Sequence, residues 1–323
     1  MIRTKNLTKT FRTEEVETMA LRNVDIHVKK GEFVAIMGPS GCGKSTLLNI
    51  LGLLDNPTEG SYCFDGREVG DLKENQRTRL RKGNIGFVFQ SFNLIDELNV
   101  YENVELPLIY LKISPSKRKE MVRNVLNRMN IGHREKHFPQ QLSGGQQQRV
   151  AISGTLVMKP QILILDEPSA ALDVVHRNNV MGLVEKLRAA GKTIVHVTHF
   201  MDEVVSADHV IALDDGRVAF EGTPEALFER HELVECLHLE EPFAYQVAHA
   251  LNNRGVVVCK SPSAQRVLDE LTGLLAAAPQ GARSAGEKSG VARSCDAMAA
   301  GRGFAATTDS ASEPAAVSVR DVT

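Results

Sequence analysis

The stretch that decides the fold is Gly38-Pro39-Ser40-Gly41-Cys42-Gly43-Lys44-Ser45-Thr46. It matches the pattern G-x-x-x-x-G-K-[ST] and lies between an apolar run at 32–37 and a predicted helix at 45–51. Glycines let the backbone N–H groups turn inward around phosphate oxygens, and the helix N-terminus adds partial positive charge. We expect Lys44 to reach the β- and γ-phosphates of a nucleotide and Ser45 to ligate Mg²⁺. Cys42 is expected to fill a gap rather than to serve redox chemistry.

A second group of candidate residues follows the apolar run Ile162–Leu165, which is predicted to be a buried strand. Asp166 and Glu167 come directly after it. Ligands of open α/β sheets bind at the carboxyl ends of the strands. We therefore expect Asp166 to hold Mg²⁺ through water and Glu167 to act as a general base on the attacking water. General-base catalysis contributes roughly 10²–10⁴-fold in rate.

Strand and helix patterns alternate along the chain before residue 224. Strands are expected at 85–89, 162–165 and 193–198, helices at 116–131 and 178–190, and a hairpin at 210–220. Short buried strands that alternate with helices predict an α/β fold with a largely parallel sheet. With the phosphate-binding loop, the fold class is that of a P-loop NTPase.

Composition and charge exclude several classes of protein. The chain has 323 residues, of which 42% are hydrophobic and 24% charged, and its formal net charge is -2. This balance argues against bulk nucleic acid as a partner. No run approaches the ~18 apolar residues of a membrane-spanning helix, and the first residues lack the apolar region of a secretory signal. The five cysteines form no C-x-x-C pair, which favours a reduced cytosolic protein.

A further glycine motif identifies a family resemblance. The motif is Leu142-Ser143-Gly144-Gly145-Gln146-Gln147-Gln148-Arg149. At a helix N-terminus the serine hydroxyl and the glycine amides are free to donate. The run resembles the signature of ATP-binding-cassette (ABC) ATPases, in which it closes on the ATP of the opposite subunit. The resemblance implies a head-to-tail homo- or heterodimer with ATP at the interface, contacted by Ser143, Gly144, Gly145 and Gln146.

Four other residues match ABC motifs in the order that the family has them. Phe11 resembles the aromatic residue that stacks on adenine, with a buried core phenylalanine as the alternative. Gln90 resembles the Q-loop glutamine, which touches Mg²⁺ and relays the nucleotide state to the membrane partner. Asp173 resembles the loop residue that communicates across the dimer. His199 resembles the switch histidine that contacts the γ-phosphate. The resemblance thus implies ATP and Mg²⁺ as cofactors and ATP hydrolysis as the activity.

Two parts of the chain resemble different branches of the family. Residues 1 to about 165 resemble the lipoprotein-release and macrolide-export ATPases. After about Ile152, three short runs are more similar to energy-coupling-factor (ECF) importer ATPases, which take up vitamins or metal ions. These runs are Thr198–Glu203, Leu213–Arg217 and Glu221–Pro224. A helical appendage after the ATPase favours the importer, and the exporter stays the alternative. A recombined gene would produce the same picture.

The expected organisation is an ABC ATPase domain at 1–230 with a helical subdomain at about 91–150, a small helical appendage at 231–275, a flexible linker at 276–316 and a possible first strand of a truncated second ABC domain at 317–323. Pro224, Pro242 and Pro262 are expected to open helices. Phe243, Val247 and Leu251 form an i, i+4, i+8 stripe. The linker is rich in Ala, Gly and Ser, a composition typical of disorder. Residues 317–323 repeat the pattern of residues 2–8.

Together these patterns predict an ATPase subunit on the cytoplasmic face of the plasma membrane. It would dimerise and power a transmembrane permease through the cleft near Gln90, without a nucleic-acid partner. A soluble ABC protein of the translation-factor kind is the alternative of another class. The Ala/Gly/Ser-rich linker argues against it, because those proteins join two cassettes by a charged helical linker. A non-functional fragment of a tandem ATPase is the third possibility.

Overall fold

A computed structural model describes residues 1–12, 17–170, 172–258 and 264–277. Among them, the strands are β1 (Ile2–Arg12), β2 (Glu17–Val24), β3 (His27–Val28), β4 (Phe33–Met37), β5 (Glu59–Phe64), β6 (Arg67–Glu68), β7 (Ile85–Val88), β8 (Ile162–Asp166), β9 (Thr193–Val197), β10 (His209–Asp214) and β11 (Arg217–Gly222). The helices are α1 (Lys44–Leu51), α2 (Glu74–Arg81), α3 (Val100–Tyr110), α4 (Pro115–Arg128), α5 (Gly144–Leu156), α6 (Val174–Ala189), α7 (Met201–Val204), α8 (Pro224–Phe228), α9 (His231–Cys236), α10 (Phe243–Asn253) and α11 (Ala264–Ala277). Residues Met1–Asp269 form one compact unit, and a second unit begins at Glu270.

The central sheet has the strand order β11-β10-β4-β9-β8-β7. Strand β11 runs antiparallel to β10, and the other neighbours are parallel. Every residue of β4 and β9 is buried. Continuous burial of this kind is typical of parallel strands that are covered on both faces. The expected α/β fold with a largely parallel sheet is confirmed.

Strand β4 contributes to two separate hydrophobic cores, because successive side chains of a strand point to opposite faces. Phe33, Ala35 and Met37 join the core that contains the apolar residues of α3, α4, α5 and α6. Val34 and Ile36 join the core built around α1. The sheet therefore anchors α1 on one face, and the phosphate-binding loop connects the carboxyl end of β4 to the start of this helix.

A second, antiparallel sheet completes the core around α1 and was not predicted from the sequence. Its order is β2-β1-β5-β6, with β3 paired to β1. Ile2 lies opposite Phe64 in the β1–β5 pair, and both side chains are buried together with Tyr62. This pairing joins segments far apart in the chain, and no local pattern in the sequence indicates its register.

Several element boundaries differ from the sequence-based prediction. The helix expected at 178–190 begins earlier, at Val174, because the Asp173 side chain accepts a hydrogen bond from the His176 N–H and caps it. The helix expected at 116–131 ends at Arg128, and Asn130 has a φ of 52°. The strand expected at 85–89 ends at Val88.

The C-terminal helices depart from the expected arrangement in three ways. Pro242 is the residue before α10 rather than its first residue, and the short helix α9 was not predicted. Phe243 is 73% exposed and Val247 and Leu251 are half-buried, so the apolar stripe is not the most buried face of α10. The buried residues of this helix are Ala244, Tyr245 and Ala248. Tyr245 lies in the core, and its ring centroid is 6.5 Å from that of Phe228.

Some expectations fall on residues that the structure does not describe. The helix predicted to open at Pro262 lies partly outside, and its described part begins at Ala264. Ala276 and Ala277 end α11, and the remainder of the expected linker and residues 317–323 lie outside the described residues. Within the described ranges, no helix is long and apolar enough to cross a membrane.

Candidate active site

The phosphate-binding loop owes its shape to glycine. Gly43 has a φ of 102°, and a Cβ at this position would lie 2.5 Å from the Ala20 carbonyl oxygen of β2. Helix α1 starts at the next residue without a side-chain cap. Its first N–H groups therefore point into the loop without a partner from a capping side chain, which is the arrangement that binds anions.

Lys44 spans the mouth of this loop. Its Nζ donates hydrogen bonds to the carbonyl oxygens of Gly38 and Pro39, both at 2.8 Å. An ammonium group held in this way is ready to exchange carbonyl oxygens for phosphate oxygens. Cys42 is buried beside it, and burial, only partly opposed by the Lys44 charge, raises the pKa of the thiol. Cys42 is therefore a neutral packing residue.

Two carboxylates lie at the carboxyl end of β8. Desolvation, followed by the negative charge of Glu167, raises the pKa of Asp166, and the Lys44 charge acts against both. Glu167 has a φ of 45°, and its N–H donates to the Val197 carbonyl at 3.0 Å. This bond links the end of β8 to the end of β9. A half-buried carboxylate with a raised pKa is one that a bound cation would stabilise.

His199 lies beside Glu167. Its Nδ1 is 3.7 Å from Glu167 Oε2, and its side chain is 52% exposed. Gln90 is exposed two residues beyond β7, whose Val88 lies opposite Leu165 of β8. Gln90 and Asp166 therefore leave the same edge of the sheet. Hydroxyl, amide and carboxylate oxygens are ligands that suit Mg²⁺, so Ser45, Gln90 and Asp166 fit this ion.

A buried polar network, which the sequence did not predict, lies next to the segments that carry Glu167 and His199. Glu203 is 2% exposed. Its carboxylate accepts hydrogen bonds from the hydroxyls of Ser169 at 2.5 Å and Thr198 at 2.6 Å, and it lies 2.9 Å from His196 Nε2. Burial acts to raise the pKa of Glu203, but the bonds from His196, Ser169 and Thr198 outweigh it and lower that pKa. The network ties the segment after Glu167 to the segment before His199.

The signature motif forms the start of α5. Ser143 caps the helix by accepting a hydrogen bond from the Gln146 N–H at 3.4 Å, and the Gln146 side chain accepts from the Ser143 N–H at 3.1 Å. Gly145 lies against the His176 ring, so that a Cβ there would be 2.0 Å from a ring carbon. His176 Nδ1 in turn contacts Asp173 Oδ2 at 2.7 Å. The signature and the start of α6 therefore touch within one chain.

Phe11 lies on β1 and is 46% exposed, which rules out the buried core alternative. The Lys9 ammonium is 5.1 Å from the centroid of its ring. An exposed aromatic face at the end of a strand is available for stacking against a flat ligand.

Comparison with known proteins identifies the family. A family model described as ABC transporter matches residues 21–170. MJ1508, an uncharacterized ABC transporter ATP-binding protein of Methanocaldococcus jannaschii, is 44% identical over 218 residues, which cover 68% of this chain and 97% of that protein. The chain belongs to the ABC transporter ATP-binding proteins. This ABC protein is therefore an ATPase whose hydrolysis of ATP is coupled to transport.

Other members of the family are similar over the same region. MJ0796 of the same organism is 46% identical over 223 residues, which cover 95% of that protein. Its solved structure, described as dimeric in a post-hydrolysis state with ADP and Pi, has a TM-score of 0.66 and covers 69% of this chain and 99% of that one. The macrolide export ATP-binding/permease protein MacB of Hyphomonas neptunium is 41% identical over 218 residues. This ABC ATPase spans 34% of the length of MacB.

These relatives support the exporter alternative better than the expected ECF importer. The match to MacB is too long to end near residue 152, where the sequence resemblance was expected to change branch. Two of the three runs that favoured the importer instead form local structure. Asp215 and Gly216 have φ values of 43° and 75° in the β10–β11 turn, and Thr223 caps α8. Turn and cap residues are selected by backbone geometry, so they carry little information about the transported substrate.

Proposed function

We propose that this ABC ATPase binds Mg-ATP, dimerises head to tail and powers a permease of the macrolide-export or lipoprotein-release kind. One observation supports the proposed hydrolysis of ATP. His199 Nδ1 lies 3.7 Å from Glu167 Oε2, at the carboxyl ends of β8 and β9, where Asp166 also lies. A general base must lie within reach of the attacking water, and the other groups must hold the phosphate in line with it.

Each residue has a separate role in this reaction. Residues Gly38–Thr46 surround the phosphates with N–H groups, Lys44 neutralises their charge, and Phe11 stacks on the adenine. Ser45 and Asp166, with Gln90, would hold Mg²⁺, which screens the phosphate oxygens. Glu167 takes a proton from the attacking water, and His199 donates a hydrogen bond to the γ-phosphate. This division resembles phosphoryl transfer elsewhere, in which positioning and charge stabilisation dominate.

The dimer follows from the signature motif. Ser143, Gly144, Gly145 and Gln146 form the start of α5. The N–H groups of Gly144 and Gly145 and the serine hydroxyl can bind an anion there. We assign that anion to the ATP of a second subunit, with Asp173 near the junction. The dimeric structure of MJ0796 supports this assembly.

The permease would dock beside Gln90. A mainly apolar cavity of about 470 Å³ includes Phe89, the residue before Gln90, and is also lined by Phe87, Leu106, Tyr110 and other residues, among them Arg81 and Lys82. Its position between α3 and the strand that precedes Gln90 suits a short apolar segment of a membrane partner. MacB combines ATP-binding and permease functions in its name. Docking of this kind would hold the ATPase at the cytoplasmic face of the membrane.

The domain organisation is part of the proposal. The cassette would occupy 1–230, with the helical subdomain at about 91–150 and the appendage at 231–275. A linker at 276–316 and the start of a second cassette at 317–323 would follow. Sequencing the gene beyond codon 323 tests the last point, since an in-frame stop with no second phosphate-binding loop downstream would contradict it.

The catalytic assignment is tested by Glu167→Gln. This variant keeps the shape of the side chain but removes its basicity. We expect it to bind ATP, to lose turnover, and to elute as a dimer when Mg-ATP is present. Lys44→Ala should instead lose ATP binding. Nucleotide binding, phosphate release and size-exclusion chromatography provide the measurements, and hydrolysis by Glu167→Gln at a near wild-type rate would show that Glu167 is not the base.

The importer and the translation-factor alternatives predict different partners. The importer was favoured by three short runs after Ile152 and by the short helices that follow the cassette. Co-purification with the permease encoded nearby would identify the transporter type. If the protein instead sedimented with ribosomes and never with membranes that contain its permease, the transport proposal would fail.

A further inference from the structure

Three flat side chains stack in a row that begins beside Glu167, at the carboxyl ends of β8 and β9. The rings of His199 and Phe200 have centroids 4.2 Å apart and are tilted by 39°. On Phe200, the guanidinium carbon of Arg177 lies 3.4 Å from the ring centroid. His199 Nδ1 is at the other end, 3.7 Å from Glu167 Oε2. Each side chain therefore lies against the next, in the order Arg177, Phe200, His199 and Glu167.

The backbone around Phe200 is held from inside the protein. Its N–H donates to Thr198 Oγ1 at 3.0 Å, and its carbonyl accepts from the Glu203 N–H at 3.1 Å. These bonds fix the path of the chain but not the direction of the side chains that leave it. The His199 ring, which is half exposed, has the freedom of an ordinary surface side chain unless a neighbour restricts it.

Arg177 packs on the ring of Phe200, the neighbour of His199. It lies in the first turn of α6, and its N–H donates to the Asp173 carbonyl at 2.9 Å. Its Nε is buried and has no hydrogen-bond partner in the part of the chain that the structure describes. The guanidinium therefore makes no hydrogen bond at this buried atom. Cation–π attraction and the match between two flat groups hold it on the aromatic ring.

We infer that Arg177 and Phe200 are positioning residues for ATP hydrolysis, which hold the His199 imidazole beside Glu167. The inference rests on the proposed role of His199. Arg177 acts from α6, a helix that is capped by Asp173 and packed into the core, so it is a rigid support for the ring. Lysine could not replace it, because an ammonium has no plane to lie on the phenyl face.

The stack could also serve only to pack α6 against the loop, and the two roles differ in what they change. A packing contact contributes to stability and leaves the rate per folded molecule unchanged. Loss of a positioning contact lowers kcat, because the contact sets how often His199 is in place, and it leaves the KM for ATP nearly unchanged. A positioning contact also requires both Arg177 and Phe200. Removing both side chains should therefore lower kcat no more than removing one of them.

The experiment compares steady-state hydrolysis of ATP by variants of the full chain. Arg177→Met keeps the length and the apolar stem but removes the guanidinium, Arg177→Lys keeps the charge, and Phe200→Leu removes the aromatic face. We expect each to lower kcat by about three- to tenfold, the range that one cation–π contact supports. KM should change less than about twofold, as for an interaction that acts on the transition state. Phe200→Tyr should retain the wild-type kcat.

The matched control is Arg188→Met, on the same helix. Arg188 donates to the Ser206 carbonyl at 2.8 Å and pairs with Asp208, far along α6 from the catalytic edge. It should lower thermal stability without lowering kcat. The double variant with Arg177→Met and Phe200→Leu should lose no more rate than either single variant.

Three results would overturn the inference. They are a wild-type kcat in Arg177→Met, a double variant whose losses multiply, and a failure of Phe200→Tyr to preserve the rate. His199→Ala separates the inference from the proposed function. If His199→Ala is slow while Arg177→Met is normal, the stack does not position His199 but the histidine keeps its role. If His199→Ala is itself as fast as wild type, the proposed role of His199 fails and the inference falls with it.

Discussion

At the scale of single residues, Glu203 shows how a buried charge can shape a catalytic edge. Its carboxylate accepts two hydroxyl hydrogen bonds and contacts one imidazole nitrogen, and it is almost fully buried. An ionised group in such a place is stabilising only if its partners compensate for the lost water. Here they connect Ser169 to Thr198, so the network aligns the two segments that carry Glu167 and His199.

Glu203→Gln should destabilise the protein. The amide cannot accept from all three donors, and at least one buried donor is left without a partner, at a cost of about 1–3 kcal/mol. Urea unfolding at neutral pH measures the loss. Thr4→Val is the control, because Thr4 is also buried and hydrogen-bonded but lies in the second sheet. It should lower stability without affecting hydrolysis per folded molecule, whereas Glu203→Gln should affect both.

The same residue predicts a pH dependence. The pKa of Glu203 is lowered in the folded protein, so its contribution to stability is fully present above the ordinary glutamate pKa of about 4.3. It is lost as the pH falls from there through the lower folded-state pKa. The stability difference between wild type and Glu203→Gln should therefore shrink in this acidic range. A difference that grows there would contradict the assigned direction.

The contact between Gly145 and the His176 ring also leads to a prediction for single residues. Gly145→Ala would bring a methyl group against the His176 ring, and overpacking of this kind costs about 1–3 kcal/mol. Removing the ring in the double variant with His176→Ala should recover most of that loss. Thermal unfolding of the three variants tests the contact, and an unchanged loss in the double variant would show that the ring is not the obstacle.

At the scale of elements, helix ends set the boundaries that hydrophobic periodicity could not. Helix α3 begins with Asn99 as its cap, which accepts from the Glu102 N–H at 3.0 Å while the Glu102 side chain accepts from the Asn99 N–H at 2.9 Å. This reciprocal pair satisfies donors that a helix start leaves open. It lies near the start of the proposed helical subdomain, so it also sets where the first helix of that subdomain begins.

Asn99→Ala should therefore lower the free energy of unfolding by about 1 kcal/mol. Asn124→Ala is the matched control, because Asn124 is exposed within α4 and alanine is the better helix former there. The control should be neutral or slightly stabilising. Equal effects of the two substitutions on the urea midpoint would exclude a capping role for Asn99.

At the scale of the whole molecule, the proposed reaction needs two copies of the ATPase. The loop with Lys44 and the signature with Ser143 lie on different elements, α1 and α5, of one chain. In a head-to-tail dimer each ATP lies between the loop of one subunit and the signature of the other. The two motifs can then be inactivated in different subunits and still complete one site.

Mixing Lys44→Ala with Ser143→Arg tests this arrangement. Each variant alone should be inactive. In the mixed dimer, the intact loop of one subunit meets the intact signature of the other, and one of the two sites is complete. Random mixing should restore up to about a quarter of the wild-type rate, since half of the dimers are mixed. No recovery on mixing, under conditions in which the dimer forms, would contradict shared sites.

The sequence by itself determined the features that contiguous residues build. Each of these features depends on local geometry, so a short run of sequence predicts it. They are the loop at 38–46, the acids at the end of β8, the helix start at Ser143 and the alternation of strands and helices. The second sheet, the Glu203 network and the Arg177–Phe200 stack join residues that are distant in the chain. Only the tertiary structure decided these, because packing the central sheet against two separate cores is what brings their partners together.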